Sequence, residues 1–168
     1  MDKIKKILAP TDFSELSKAG VRYAFNLAKE LGAEVIVYHA VNRDELLEYG
    51  HEIKAERSAV YPYLPGNLLL EKYELALVRF LKENFSDLLP SVDVREKVEL
   101  GRPESNIVEE AKKEGVDLIV ISTHGRTGLS HMLMGSVTEK VVRHASCPVL
   151  SIHPEREEEE TPEVKAVA

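Results

Sequence analysis

Between residues 122 and 139 the chain gathers residue types that can hold an anion by its main chain. Ser122-Thr123-His124-Gly125-Arg126-Thr127-Gly128 follows an apolar run, and Gly135-Ser136-Val137-Thr138-Glu139 opens an amphipathic stretch. Glycine lets a backbone turn sharply and approach a ligand with no Cβ in the way. Ser136 and Glu139 form S-x-x-E, the pattern of a capping box at a helix start. A helix N-terminus offers unbonded N–H groups and roughly half a positive charge, which suits phosphate. His124 and Arg126 add side-chain donors, and Ser122, Thr123 and Thr138 complete the candidate set. The plain alternative is that Gly125 and Gly128 only turn a loop and Ser136 only caps a helix, and spacing alone leaves both readings open. The segment is neither a Walker A loop, which needs G-K-[ST], nor a G-x-G-x-x-G fingerprint. A second candidate is Pro10-Thr11-Asp12, where Asp12 could meet a ligand or, with Ser14, cap the following helix.

These loops need elements to position them. Residues 4–9 read as an apolar strand stopped by Pro10, and Ser14 caps a helix carrying Leu16, Ala19, Tyr23, Leu27 and Leu31 and ended by Gly32. Residues 35–41 form an apolar strand, residues 43–57 a polar helix, residues 61–66 a loop, and residues 68–85 a helix with Leu70, Tyr73, Leu77, Phe80 and Leu81 on one side. Val92, Val94 and Val98 alternate with charged residues as a third strand; Pro103 opens a helix ended by Gly115. Residues 118–121 are a fourth strand, 136–144 a helix and 149–152 a last strand. Alternating strands and helices predict a single open five-stranded parallel sheet with helices on both faces. The apolar second and fourth strands belong inside and the alternating third at an edge, so right-handed crossovers give the order 3-2-1-4-5. Winding reverses between the first and fourth strands, and ligands of open α/β sheets bind at such a switch point. The expected crevice lies between Pro10-Thr11-Asp12 and the 122–135 segment.

Composition narrows the function. The 168 residues suit one domain, expected over 1–153, with an acidic tail over 154–168 that cannot bury enough apolar surface to order itself. That tail holds six glutamates against Arg156 and Lys165, leaving −3 of the total −7 for the body. Neither part has the basic excess that nucleic-acid binding demands. No apolar run reaches the roughly 18 residues of a membrane span, and the first ten residues lack a secretory signal core. Cys147 is the single cysteine, so no internal disulfide forms; a cytoplasmic setting is expected. His39 reads as a packed or hydrogen-bonded residue rather than a catalyst, Cys147 as inert, and Met132, Leu133 and Met134 as packing or interface surface. His131 and His144 have no metal-ligand spacing with Cys147.

Ser122, Gly125, Gly135 and Ser136 spell S-x2-G-x9-G-S. This resembles the signature G-x2-G-x9-G-[ST] of the universal stress protein family. I-S-T-H-G-R-T-G-L, G-S-V-T-E-K-V, Cys147-Pro148-Val149-Leu150, the opening I-L-A-P-T-D-F-S and Gly101-Arg102-Pro103 carry the same resemblance, from about Lys3 to Ile152. It implies the Rossmann-like sheet reasoned to above and a regulatory, stress-response module that binds ATP or AMP. Asp12 then resembles the acid near the adenosine, and could help hold a nucleotide-bound Mg²⁺. Val41 resembles the position whose backbone meets adenine, while His124, Gly125, Arg126, Gly128, Gly135, Ser136 and Val137 fall where ribose and phosphates are held. The resemblance further implies homodimers pairing the last strand, Val149–Ile152; covering this apolar edge by a second copy removes an aggregation risk, and Leu133 and Met134 are candidates for added contacts. The first signature glycine is Ser122 here, which works with β or αR dihedrals but not with a positive φ. No catalytic residue is assigned. Two alternatives differ in class: a slow ATP hydrolase or nucleotidyl-transfer enzyme, although the S-G-G-x-D-S loop of related pyrophosphatases is missing, and a nucleotide-independent interaction module suggested by Ser122.

Overall fold

A computed structural model describes residues 3–48, 66–124 and 134–153. The C-terminal part of the expected 43–57 helix, residues 61–65 of the expected 61–66 loop, Gly125, Arg126, Gly128, Leu133 and the acidic tail lie outside the described residues, whereas Gly66, expected in that loop, already begins a helix. Five parallel strands, β1 (Lys6–Pro10), β2 (Glu34–Val41), β3 (Asp93–Leu100), β4 (Leu118–Ser122) and β5 (Val149–Ile152), form one sheet in the order β3-β2-β1-β4-β5. Between them run α1 (Glu15–Leu31), α2 (Gly66–Phe85), α3 (Pro103–Lys113) and α4 (Ser136–His144). The chain is also helical at 43–48.

β4 is buried throughout and β2 almost so, as strands covered on both faces must be. On one face Ile7, Val35, Val37 and Val120 pack with Val21 and Phe25 of α1 and Leu77, Leu81 and Phe85 of α2. On the other, Leu8, Ile36, Ile119 and Ile121 pack with Ile107 and Ala111 of α3 and Val141 of α4. α1 starts where predicted: Ser14 is extended and its hydroxyl accepts the Ser17 N–H at 3.2 Å, a cap worth about 1 kcal/mol. Gly32 ends it at φ 64°, its N–H reaching the Ala28 carbonyl. β1 runs one residue further than expected because Thr11, not Pro10, supplies the next N–H to β2, 2.9 Å from the Tyr38 carbonyl.

A charged lattice ties the edge strand β3 to α3. Glu110, 2% exposed, pairs with Lys97 and lies 3.7 Å from Lys113. Glu99 stands 3.3 Å from Lys97 and accepts the Tyr38 hydroxyl at 2.9 Å. Burial foremost raises the Tyr38 hydroxyl above its ordinary range. Arg95 hydrogen-bonds Glu114 at 2.6 Å and brings that carboxyl down to about 2.

Candidate functional site

β1 and β2 stay in register through Pro10↔Tyr38, whereas β1 and β4 pair only at Ile7↔Leu118 and Leu8↔Ile119. Beyond Leu8 the two central strands part, and a cavity of about 270 Å³ opens at their carboxyl ends. The Pro10-Thr11-Asp12 turn walls one side, and Ser122 and His124 with the first residues of α4 wall the other. Tyr38, His39, Asn42 and Glu45 close it over β2, and Pro103 and Ile107 of α3 cover it from the side.

Hydrogen bonds fix the first wall. The Thr11 and Ser17 hydroxyls lie 2.8 Å apart, and Thr11 Oγ1 also accepts the Phe13 N–H at 3.1 Å. Asp12 Oδ1 accepts both the N–H and the hydroxyl of Ser14, at 3.1 and 2.6 Å. Asp12 therefore supports the helix cap and borders the cavity at once, so its two sequence readings are compatible. Phe13 has φ 64°, the left-handed region that costs a non-glycine residue about 1–2 kcal/mol. Its ring holds it there, 4.3 Å from the His39 ring and edge-on to Phe80 at 5.5 Å.

On the second wall, Ser122 lies in β4 and is not among the positive-φ residues. Its hydroxyl turns to α1, accepting the Gly20 N–H at 3.0 Å and donating toward the Ser17 carbonyl at 3.4 Å. Gly20 makes the room, because a Cβ there would come 2.9 Å from Ser122 N and Oγ. The departure from glycine at 122 is thus accommodated by glycine on the helix above.

The capping box expected at Ser136–Glu139 does not form, because the helix starts one residue earlier and its N-cap has no side chain. Gly135 is the N-cap, with φ −69° and ψ 154°, and its carbonyl accepts the Glu139 N–H at 2.9 Å. The reason is the 2.6 Å bond from Gly135 N–H to the Thr123 carbonyl, which holds Gly135 extended and leaves Ser136 already helical. Thr138 Oγ1 donates to the Ser122 carbonyl at 2.8 Å, docking the first turn of α4 on the end of β4. The main-chain N–H groups of Ser136 and Val137 have no acceptor within the helix by its geometry, and both residues edge the cavity. That is an anion-binding arrangement.

Nine predicted residues thus line one cavity: the turn 10–12, Ser122, His124 and 135–138. Thr123 stands behind it, its hydroxyl 3.0 Å from His124 Nδ1 and 3.1 Å from His153 Nδ1. Val41 borders a neighbouring hollow, and its carbonyl accepts the Gly101 N–H at 3.0 Å. Sequence reasoning missed Tyr38, Ser17, Glu45 and the α3 residues, and gave His39 no place in the site. For Glu45 a signal existed: Asn42-x-x-Glu45 directly after β2 is a capping-box pattern. The structure shows it, with Asn42 Oδ1 accepting the Glu45 N–H at 3.0 Å and Glu45 Oε2 accepting the Asn42 N–H at 2.8 Å. Among the described residues no three His, Cys, Asp or Glu side chains gather to hold an ion.

Known proteins share this fold. Residues 3–153 match the Universal stress protein family. Universal stress protein MJ0531 of Methanocaldococcus jannaschii is 36% identical over 156 residues, covering 92% of this chain and 85% of the relative. The solved structure of MJ0577 superposes with a TM-score of 0.72 at 30% identity, covering 92% of this chain and 99% of that one. A universal stress protein crystallised with cAMP superposes with a TM-score of 0.60 at 23% identity, covering 90% and 98%.

Proposed function

This chain belongs to the universal stress protein family, and on that premise we propose that it is a regulatory module binding adenine nucleotides such as ATP or AMP in the cavity between β1 and β4. The observation that carries the reading is the convergence on one cavity of the Asp12 turn and the amide-rich start of α4. The α4 amides and His124 suit the phosphates, while the apolar side chains of Pro10, Ala40 and Ile107 suit the flat faces of a base. The complex of a structural neighbour with cAMP supports the same ligand class. Ser122 does not weaken the reading, because its hydroxyl is engaged with α1. The family resemblance further supports Gly125, Arg126 and Gly128 as ribose and phosphate contacts and the Val41 main chain as an adenine contact.

Calorimetric titration with AMP, ATP and cAMP tests this. Binding is expected, with Asp12→Ala weakening AMP roughly tenfold through loss of an acceptor for the ligand and support for the Ser14 cap. Absence of heat with all three nucleotides at high protein concentration would overturn the reading.

No helix among the described residues is long and apolar enough to cross a membrane, and the single cysteine supports the cytoplasm as its setting. We also propose that two copies join along β5, an edge strand whose Val149, Leu150 and Ile152 are only partly buried. An exposed apolar edge invites pairing unless something covers it. Light scattering at micromolar concentration is expected to give twice the chain mass of 18.8 kDa, and a single-chain mass would remove the proposal.

A further inference from the structure

His39 and Glu45 are a buried titratable pair to which neither the fold nor the ligand reading gives a role. They are 2% and 3% exposed, and both stand at the cavity wall over β2. His39 Nδ1 lies 2.8 Å from the Thr11 carbonyl, which can only accept, so Nδ1 carries a hydrogen. Nε2 then faces Glu45 Oε1 at 3.4 Å. With the ring neutral, a nitrogen lone pair opposes a carboxylate oxygen and Nε2 is buried without a hydrogen-bond partner. One added proton changes this contact from repulsion to a charge-assisted bond.

The pair joins two walls. Through Thr11, His39 holds the turn that presents Asp12, and its ring supports the strained Phe13. Through Glu45 it reaches the start of helix 43–48, which the Asn42 capping box anchors. The following groups face His39 among the described residues. Tyr73 of α2 stacks on the ring at 5.2 Å, and Phe13 covers it from the β1 turn. Val98 is its register partner on β3, while Lys97 and Glu99 are engaged across the sheet with Glu110 of α3 and Tyr38. Among the described residues the cavity carboxylates are Asp12 and Glu45 itself.

We propose that His39 is a positioning residue for the nucleotide site and acts through one proton shared between its Nε2 and Glu45, so that nucleotide binding takes up a proton. This rests on the adenine-nucleotide reading above. Two effects have the same sign. The proton joins the two walls, and it removes one negative charge beside an anionic ligand. By linkage, the group binds its proton more tightly in the complex than in the free protein, so affinity is full at low pH and falls as pH rises.

The test uses cAMP, a phosphodiester whose single charge stays constant between about pH 5.5 and 8.5, the range in which histidine sites titrate. Wild-type affinity is expected to fall roughly tenfold across that range, and the binding heat to vary with the buffer's ionisation enthalpy as proton uptake requires. Glu45→Gln keeps the capping box, and its amide can donate to a neutral Nε2. Its affinity is expected to change less than about threefold over the same range, with no proton uptake. His39→Gln is expected to bind weakly at every pH. A flat wild-type profile, or a Glu45→Gln profile as steep as the wild type, overturns the proposal. Should cAMP, AMP and ATP all fail to bind, the nucleotide reading fails and ¹⁵N imidazole spectra of the free protein decide the pair by themselves. His39 Nδ1 is expected to stay protonated, with Nε2 titrating at a different pH in Glu45→Gln. Coincident titrations overturn the pairing.

Discussion

Gly20→Val is expected to lower stability by about 3 kcal/mol, at the upper end of overpacking effects. For a chain of this size that is roughly 6–12 °C in melting temperature. The new Cβ alone would sit 2.9 Å from Ser122 N and Oγ and 3.2 Å from the Ile121 carbonyl carbon. Two of these three atoms are main chain, so a rotamer change cannot relieve the contact. β4 has little freedom to retreat, being hydrogen-bonded to β1 and β5 and docked to α4 through Thr138. Adding Ser122→Gly removes the hydroxyl but leaves the Ser122 amide in place, so less than half of the loss should return. Ser122→Gly alone restores the family's signature glycine, yet is expected to cost about 1 kcal/mol through the lost Gly20 and Ser17 hydrogen bonds. Thermal unfolding checks all three variants. A Gly20→Val protein melting within about 2 °C of wild type would show that α1 can slide away from β4 and that the contact is unimportant.

Lys97→Met is expected to cost about 3–5 kcal/mol, the range for breaking a buried ion pair from one side. Its partner Glu110 has a side chain only 1% exposed. The remaining cation, Lys113, lies 3.7 Å away on a side chain that is 64% exposed, and water screens it. The larger effect comes from stranding the carboxylate, not from losing the attraction. Replacing both Lys97 and Glu110 by Met should therefore recover most of the stability. Urea unfolding midpoints decide it, and a single-variant loss below about 1 kcal/mol would show that Lys113 or water compensates fully.

Much of the fold was legible because its signals are local. The nearly continuous apolar run of β2 and the apolar β4 imply strands covered on both sides, and the alternating β3 implies an edge, which together specify the observed order. Ser14 and Gly32 marked both ends of α1 through their own backbone preferences. The cap of α4 was displaced by one residue because a tertiary bond, Gly135 to Thr123, decides which residue is extended. No local pattern encodes that bond. In the site, the glycine-rich segment and the Asp12 turn were visible as motifs, whereas Tyr38, Ser17 and Ile107 line the cavity through packing that spacing does not reveal. His39 was recognised as hydrogen-bonded, but its link to Glu45 depends on how helix 43–48 folds back over β2. The Ser122 substitution looked like a loss from sequence because Gly20, its counterpart, is 102 positions away.

The brief register between β1 and β4 makes the centre of the sheet resemble the short spine of a book. β3-β2-β1 forms one cover and β4-β5 the other, with α1 packed across both and bonded to β4 at Gly20. A molecule seated in the fold would touch both covers and clasp them together. Stiffness from such clasping would pass straight into β5, because Ile152 pairs with Ser122 and His153 stands beside His124 at the site wall.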